Sequence, residues 1–201
     1  FPTVDPADPY RLSDEEKELV DKIHASFMNS EKLKKHMRCL FTYGGMYLVC
    51  NSNLLYHASV PLHEDGSFKH VRIGKKEYWG YKLLQKTDQL IRTAYFDEDG
   101  SKEKLFALDY VWYMWCGPNA PSFDKDKMAT FERYFVADKE LHKETKGYYY
   151  TLRNRADICD NILTEFGVEP GPHSHIINGH VPVKTIKGEK PIKADGKLLV
   201  I

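Results

Sequence analysis

The chain has 201 residues, 42% of them apolar and 29% charged, with 29 acidic and 29 basic side chains and a formal net charge of zero. This fits one globular domain or a large part of one and excludes a disordered chain. The zero balance argues against an electrostatic grip on nucleic acid or acidic membrane, and there is no run of about 18 apolar residues to span a bilayer.

Residues 1–12 are proline-rich and aperiodic, which reads as an extended arm or linker. Ser13 and Glu16 form a capping-box pattern, and Leu19, Val20, Ile23 and Phe27 follow at helical spacing. A second helix is predicted from Ser30, with Leu33, Met37, Leu40 and Phe41 on one face and Gly44-Gly45 at its end. Two apolar runs, Met46–Cys50 and Leu54–Ser59, flank the turn residues Asn51-Ser52-Asn53 and read as a β-hairpin. Both runs are apolar at nearly every position, so both faces of these strands are expected to be covered.

Pro61–Gly80 is polar, with a short hairpin expected around Val71–Trp79. A helix is predicted over Tyr81–Tyr95, and Phe106, Tyr110, Tyr113 and Met114 recur at helical spacing as a packing stripe. Cys116–Phe123 is irregular, and Glu140–Tyr150 carries no clear period. Ala156–Phe166 is a helix closed by Gly167, followed by a strand at Ile176–Asn178, another at Val183–Lys187, a loop over Gly188–Asp195 and a last strand over 197–201. No repeat or low-complexity tract is present.

Two histidines stand at the ends of predicted strands: His57 after Leu54-Leu55-Tyr56, and His180 after Ile176-Ile177-Asn178-Gly179. A neutral imidazole at a strand tip is a good metal ligand, and it is equally a hydrogen-bonded residue in a turn. Gly179 is expected to permit a sharp turn or a close approach, and Pro182 to end regular pairing. Lys127 and Arg133 follow a Gly/Pro-containing loop; they are candidate contacts for an anion, or part of a solvated helix in which Arg133 ties down its own turn through a carboxylate. The four cysteines (Cys39, Cys50, Cys116 and Cys159) show no finger or redox spacing and are expected to be free thiols of a reducing compartment. No signal peptide is visible, while the start at Phe1 and the apolar end at Ile201 suggest a piece of a longer protein.

The order of hairpin, His57, long insertion, helix, strand, Asn178-Gly179-His180 resembles the C-terminal half of the calcineurin-like metallophosphoesterases. Within them the chain is most similar to the class III fructose-1,6-bisphosphatases, through Asn53–His57, Lys127–Phe135 and Ile176–Lys184. The resemblance implies an α+β fold: residues 13–201 as part of a metallophosphoesterase sandwich of about five strands, with a mainly helical insertion at about 81–155. It implies hydrolysis of fructose 1,6-bisphosphate to fructose 6-phosphate and phosphate, two divalent ions (Mn²⁺), and a cytoplasmic role in gluconeogenesis. It further implies His57 and His180 as metal ligands, with Arg133 and Lys127 on phosphate. The family's Asp-x-His, Gly-Asp-x-x-Asp-Arg-Gly and Gly-Asn-His-Asp/Glu motifs do not occur in the sequence. The missing ligands are therefore expected in an N-terminal part of the same protein, and the isolated chain is expected to be inactive and prone to self-association as a homo-oligomer. Two other readings stay open: a non-catalytic effector-binding or assembly module, and a phosphoesterase for another phosphate ester.

Overall fold

The computed structural model describes residues 4–201, so residues 1–3 of the expected arm lie outside the described residues. Helix α1 (Asp14–Met28) opens with the full capping box. Ser13 Oγ accepts from Glu16 N at 3.2 Å, and Glu16 Oε2 accepts from Ser13 N at 2.8 Å. Helix α2 (Glu31–Tyr43) is capped by Ser30, and Arg92 from helix α3 (Gly80–Phe96) donates to the carbonyls of Phe41 and Gly44 at its end. Those carbonyls have no partner within their own helix, so this contact fixes α2 against α3. The apolar stripe of α1 is not packed: Leu19, Ile23 and Phe27 are 59%, 50% and 63% exposed.

The hairpin β1 (Tyr47–Cys50) and β2 (Asn53–Tyr56) turns through Asn51 and Ser52, both at positive φ. A second, separate hairpin joins β3 (Val71–Ile73) to β4 (Lys76–Tyr78). Helix α3 then packs against α4 (Lys102–Cys116), and Thr87 and Tyr110 share a buried hydroxyl–hydroxyl bond of 2.9 Å. On α4, Tyr110 and Met114 are buried as expected, but Phe106 is 45% exposed. After an irregular stretch come α5 (Thr130–Phe135), α6 (Tyr149–Leu152) and α7 (Ala156–Glu165). Strands β5 (His175–Asn178), β6 (Ile192–Lys193) and β7 (Leu198–Val200) complete a mixed sheet of order β1-β2-β5-β7-β6. Among the described residues, no helix is long and apolar enough to cross a membrane.

The predicted strand at Val183–Lys187 is not formed. Pro182 removes a donor, Glu189 Oε2 takes the Lys184 amide at 2.9 Å, and Thr185–Lys187 winds into a single 3₁₀ turn that ends at Gly188 with φ +79°. The residue that pairs with β7 instead is Ile192, inside the segment expected to be a loop.

Burial on both faces of the hairpin also fails. One row across the sheet, Leu54, Ile176 and Leu198, is 0%, 1% and 0% exposed and joins the core with Ile158, Ile162 and Leu163 of α7. Each such side chain contributes about 2 kcal/mol. The opposite row runs Leu48, Leu55, Ile177, Leu199 and Ile192 in register, and its two outer members are 57% and 61% exposed. A continuous apolar row left open to water favours association. The 201-residue chain alone is expected to rise in mass with concentration in light scattering, and Leu48→Lys is expected to lower that rise; a strict monomer at every concentration would contradict this.

Candidate functional site

β2 and β5 are parallel neighbours, with Tyr56 paired to Asn178. Residues just beyond their C-terminal ends therefore emerge side by side. The chain leaves β2 at His57 and β5 at Gly179, and Gly179 N donates to the His57 carbonyl at 2.9 Å. This bond fixes the two strand exits to each other. The sharp turn falls on His180, at φ +65°, not on Gly179, where an added Cβ would make only ordinary contacts. Left-handed backbone is uncommon for any residue but glycine, so His180 is held by its surroundings in a sparsely populated conformation.

That conformation turns the two rings toward each other. His57 Nε2 lies 3.2 Å from His180 Nδ1, with ring centroids 5.1 Å apart and planes at 73°. His57 is exposed, whereas His180 is half-buried against Phe123 and Tyr150, whose centroids lie 6.0 and 6.5 Å from it. His180 Nε2 is buried and has no hydrogen-bond partner among the described residues.

Beneath the pair sits a polar knot. Asn178 Nδ2 donates to Ala58 O at 2.9 Å and to Tyr149 Oη at 2.6 Å, and the Tyr149 and Tyr56 hydroxyls share a 2.7 Å bond. Arg153 Nη1 reaches Asn178 Oδ1 at 3.5 Å. Burial raises the pKa of both tyrosines, so they remain neutral hydrogen-bonding groups. Ser59 Oγ donates to buried Asp124 at 2.6 Å, tying the exit of β2 to the irregular stretch that carries Phe123.

The pair also borders an apolar cavity of about 540 Å³, walled by Met37, Phe41, Ile91, Tyr95, Met114 and Trp115. Two cations lie near the pair as well: Lys125 Nζ is 5.1 Å from the Phe123 ring and Lys146 Nζ 5.6 Å from the Tyr150 ring. Burial lowers the pKa of His180, and His57, Lys125 and Lys146 push it further down against the opposing pull of Glu144. The imidazole is thereby kept neutral, the form that offers a lone pair. Its midpoint in an NMR titration is expected below the ordinary value of 6.5. The unfolded chain then takes up this proton first, so stability falls as pH drops from about 6.5 toward the lower folded midpoint, and is unaffected above it. A midpoint at or above 6.5 would contradict this.

Arg133 donates to the His142 carbonyl through Nε and Nη2 at 3.3 and 3.2 Å and pairs with Glu144 at 3.2 Å; Lys127 is half-buried just before α5. Sequence reasoning marks neither Asn178 nor the tyrosine pair as functional: Asn178 ends the strand Ile176–Asn178, and nothing local shows what its amide reaches.

The whole chain, residues 1–201, matches the family model described as Firmicute fructose-1,6-bisphosphatase. The chain belongs to this fructose-1,6-bisphosphatase family. It is similar to proteins named fructose-1,6-bisphosphatase class 3 from Bacteroides fragilis and Bacteroides thetaiotaomicron, at 82% identity over 201 residues each, and from Clostridium novyi at 56%. Each match covers all of this chain but 30% of the relative's length. No solved structure matches the chain. In this member of the family, among the described residues, no group of three or more histidine, cysteine, aspartate or glutamate side chains is gathered to hold a metal ion. The two imidazoles are therefore the metal-binding potential visible at the strand tips.

Proposed function

We propose that the chain forms part of the catalytic domain of a longer fructose-1,6-bisphosphatase with a calcineurin-like metallophosphoesterase fold. In the complete protein, fructose 1,6-bisphosphate is hydrolysed to fructose 6-phosphate and phosphate. The observation that carries this reading is the 3.2 Å approach of His57 Nε2 to His180 Nδ1 at adjacent strand ends, in a chain of this family. Two imidazole nitrogens bound side by side to one ion at about 2.1 Å lie about 3 Å apart, so the pair fits a shared divalent cation. The depressed pKa of His180 supports the same assignment. Two neutral rings supply no negative charge, so carboxylate ligands have to come from elsewhere in the longer protein, as the 30% coverage allows.

Divalent ions, Mn²⁺ in this reading, would supply Lewis acidity toward phosphoryl oxygens and water when bound. His57 and His180 would hold one such ion, and Asn178 keeps the His180 turn in place from below. The Phe123 and Tyr150 rings exclude water from one side of His180. Lys127 and Arg133 remain proposed phosphate contacts, Arg133 with part of its guanidinium already engaged by Glu144. The open row from Leu48 to Ile192 supports a second sheet packing over this one, as a sandwich requires. The four free cysteines accord with a cytoplasmic location.

The test is Mn²⁺-dependent release of phosphate from fructose 1,6-bisphosphate by the full-length protein. Turnover is expected there and not from the 201-residue chain alone; a full-length protein inert toward this substrate but active on another phosphate ester would overturn the substrate assignment.

A further inference from the structure

Two cations near the histidine pair have no acid of their own. Arg153 is 4% exposed, and its Nε is buried without a hydrogen-bond partner among the described residues. Its polar side-chain contacts are to neutral groups: Nη1 reaches the amide of Asn178 at 3.5 Å, and the guanidinium also meets the Tyr149 hydroxyl. Lys146 is exposed, and among the described residues no carboxylate lies within ion-pairing distance of it. Both cations are gathered on one ring: Lys146 Nζ lies 5.6 Å and Arg153 Cζ 5.4 Å from the centroid of Tyr150. The Tyr150 ring is itself 6.5 Å from that of His180, and its hydroxyl is pinned to the Phe123 carbonyl at 2.9 Å.

The nearby acids are already engaged. Glu144 accepts from Lys125 at 3.0 Å and from Ala129 N at 2.9 Å, and pairs with Arg133 at 3.2 Å. Asp124 is buried against Gly147 and accepts from Ser59 at 2.6 Å. A buried guanidinium with no counter-charge is strongly unfavourable unless something else supplies that charge. Cation–π contact with Tyr149 and Tyr150 offsets part of the penalty but neutralises nothing. Partial burial, then Lys125, Arg153 and Lys184, lower the pKa of Lys146, with Glu189 opposing them.

We infer that Lys146 and Arg153, set on the Tyr150 ring beside His57 and His180, form an anion subsite that receives the phosphoryl group of the substrate. Lys146 is the contacting cation, exposed and mobile enough to meet phosphoryl oxygens. Arg153, behind Tyr150, is a positioning residue whose uncompensated charge strengthens the field. This assignment rests on the reading that the histidine pair marks the reaction centre, and it differs from the Lys127–Arg133 pair suggested by sequence.

The experiment measures binding of inorganic phosphate to the full-length, metal-loaded protein by titration calorimetry, beside kcat and KM for fructose 1,6-bisphosphate. Lys146→Met is expected to weaken phosphate binding and raise KM by about tenfold or more, with a smaller change in kcat; Lys146→Arg is expected to restore both to within about threefold. Thermal midpoints should match the parent, because Lys146 lies on the surface. Arg153→Lys, which keeps the charge, is expected to hold phosphate affinity better than Arg153→Met. Phosphate affinity unchanged by Lys146→Met, or undetectable phosphate binding in the parent, overturns the subsite. If Lys146→Met weakens phosphate binding while fructose 1,6-bisphosphate is not a substrate, the subsite stands and the substrate assignment fails.

Discussion

His180→Ala in the full-length protein is expected to lower Mn²⁺-dependent phosphate release by about 100-fold or more. The expectation follows from geometry. His180 Nδ1 and His57 Nε2 are 3.2 Å apart, so on the proposed reading removing either halves the imidazole contribution to a shared ion. Nothing nearby replaces it, since no third histidine, cysteine or carboxylate joins the pair among the described residues. His57→Ala is expected to act in the same direction. On the proposed reading that the two rings serve one ion, the double variant should lose little beyond the worse single one. Raising Mn²⁺ should partly rescue a ligand variant, whereas a merely structural role predicts no metal dependence of the defect. Full activity in His57→Ala and His180→Ala would refute the ligand assignment.

How much of this was legible in the sequence differs from element to element. Ser13 and Glu16 sit in one turn of one helix, so their capping box is a local fact that sequence reveals directly. The hairpin and its Asn-Ser turn are local in the same sense. The strand expected at Val183–Lys187 fails because β-branched Val183, Thr185 and Ile186 suggest an extended run, while their pattern does not show that Glu189, five residues on, takes the Lys184 amide. Ile186 ends fully exposed, which a packed strand would not allow.

The open row from Leu48 to Ile192 misleads for a different reason. An apolar side chain in a strand reports that something covers it, not that the cover lies within these 201 residues. The approach of His57 to His180 spans 123 positions, and residue spacing says nothing about it; only the resemblance brought the two together. The uncompensated charge of Lys146 and Arg153 was also unreadable. Seven cationic residues, Lys125, Lys127, Arg133, Lys139, Lys143, Lys146 and Arg153, lie within 29 positions, and geometry alone decides that Glu144 satisfies Lys125 and Arg133.

The second large effect is expected at Asn178, which is 1% exposed and has no chemistry of its own to perform. Its amide donates to Ala58 O and to Tyr149 Oη, and its oxygen faces Arg153 Nη1. Asn178→Ala leaves the Ala58 carbonyl and the Arg153 guanidinium without these partners in a site closed to water. The expected destabilisation is about 3 kcal/mol, the upper part of the range for single substitutions. Its backbone also holds the last strand, since Ile201 N donates to Asn178 O at 2.9 Å, next to the Gly179–His57 bond. Loosening the knot should therefore show locally. Hydrogen exchange read by mass spectrometry on the full-length protein should be about 100-fold faster in the peptide spanning β5 and His180, where opening follows the local free energy. Asn178→Asp separates the two halves of the amide's role. A carboxylate still faces Arg153 and accepts from Tyr149, but it has no hydrogen to give the Ala58 carbonyl. If Asn178→Asp keeps the protection that Asn178→Ala loses, the contact to Arg153 and Tyr149 holds the strand tip; if both lose it, the donor bond to Ala58 does. Unchanged exchange in both variants would show that the His180 turn is held by its backbone bonds alone.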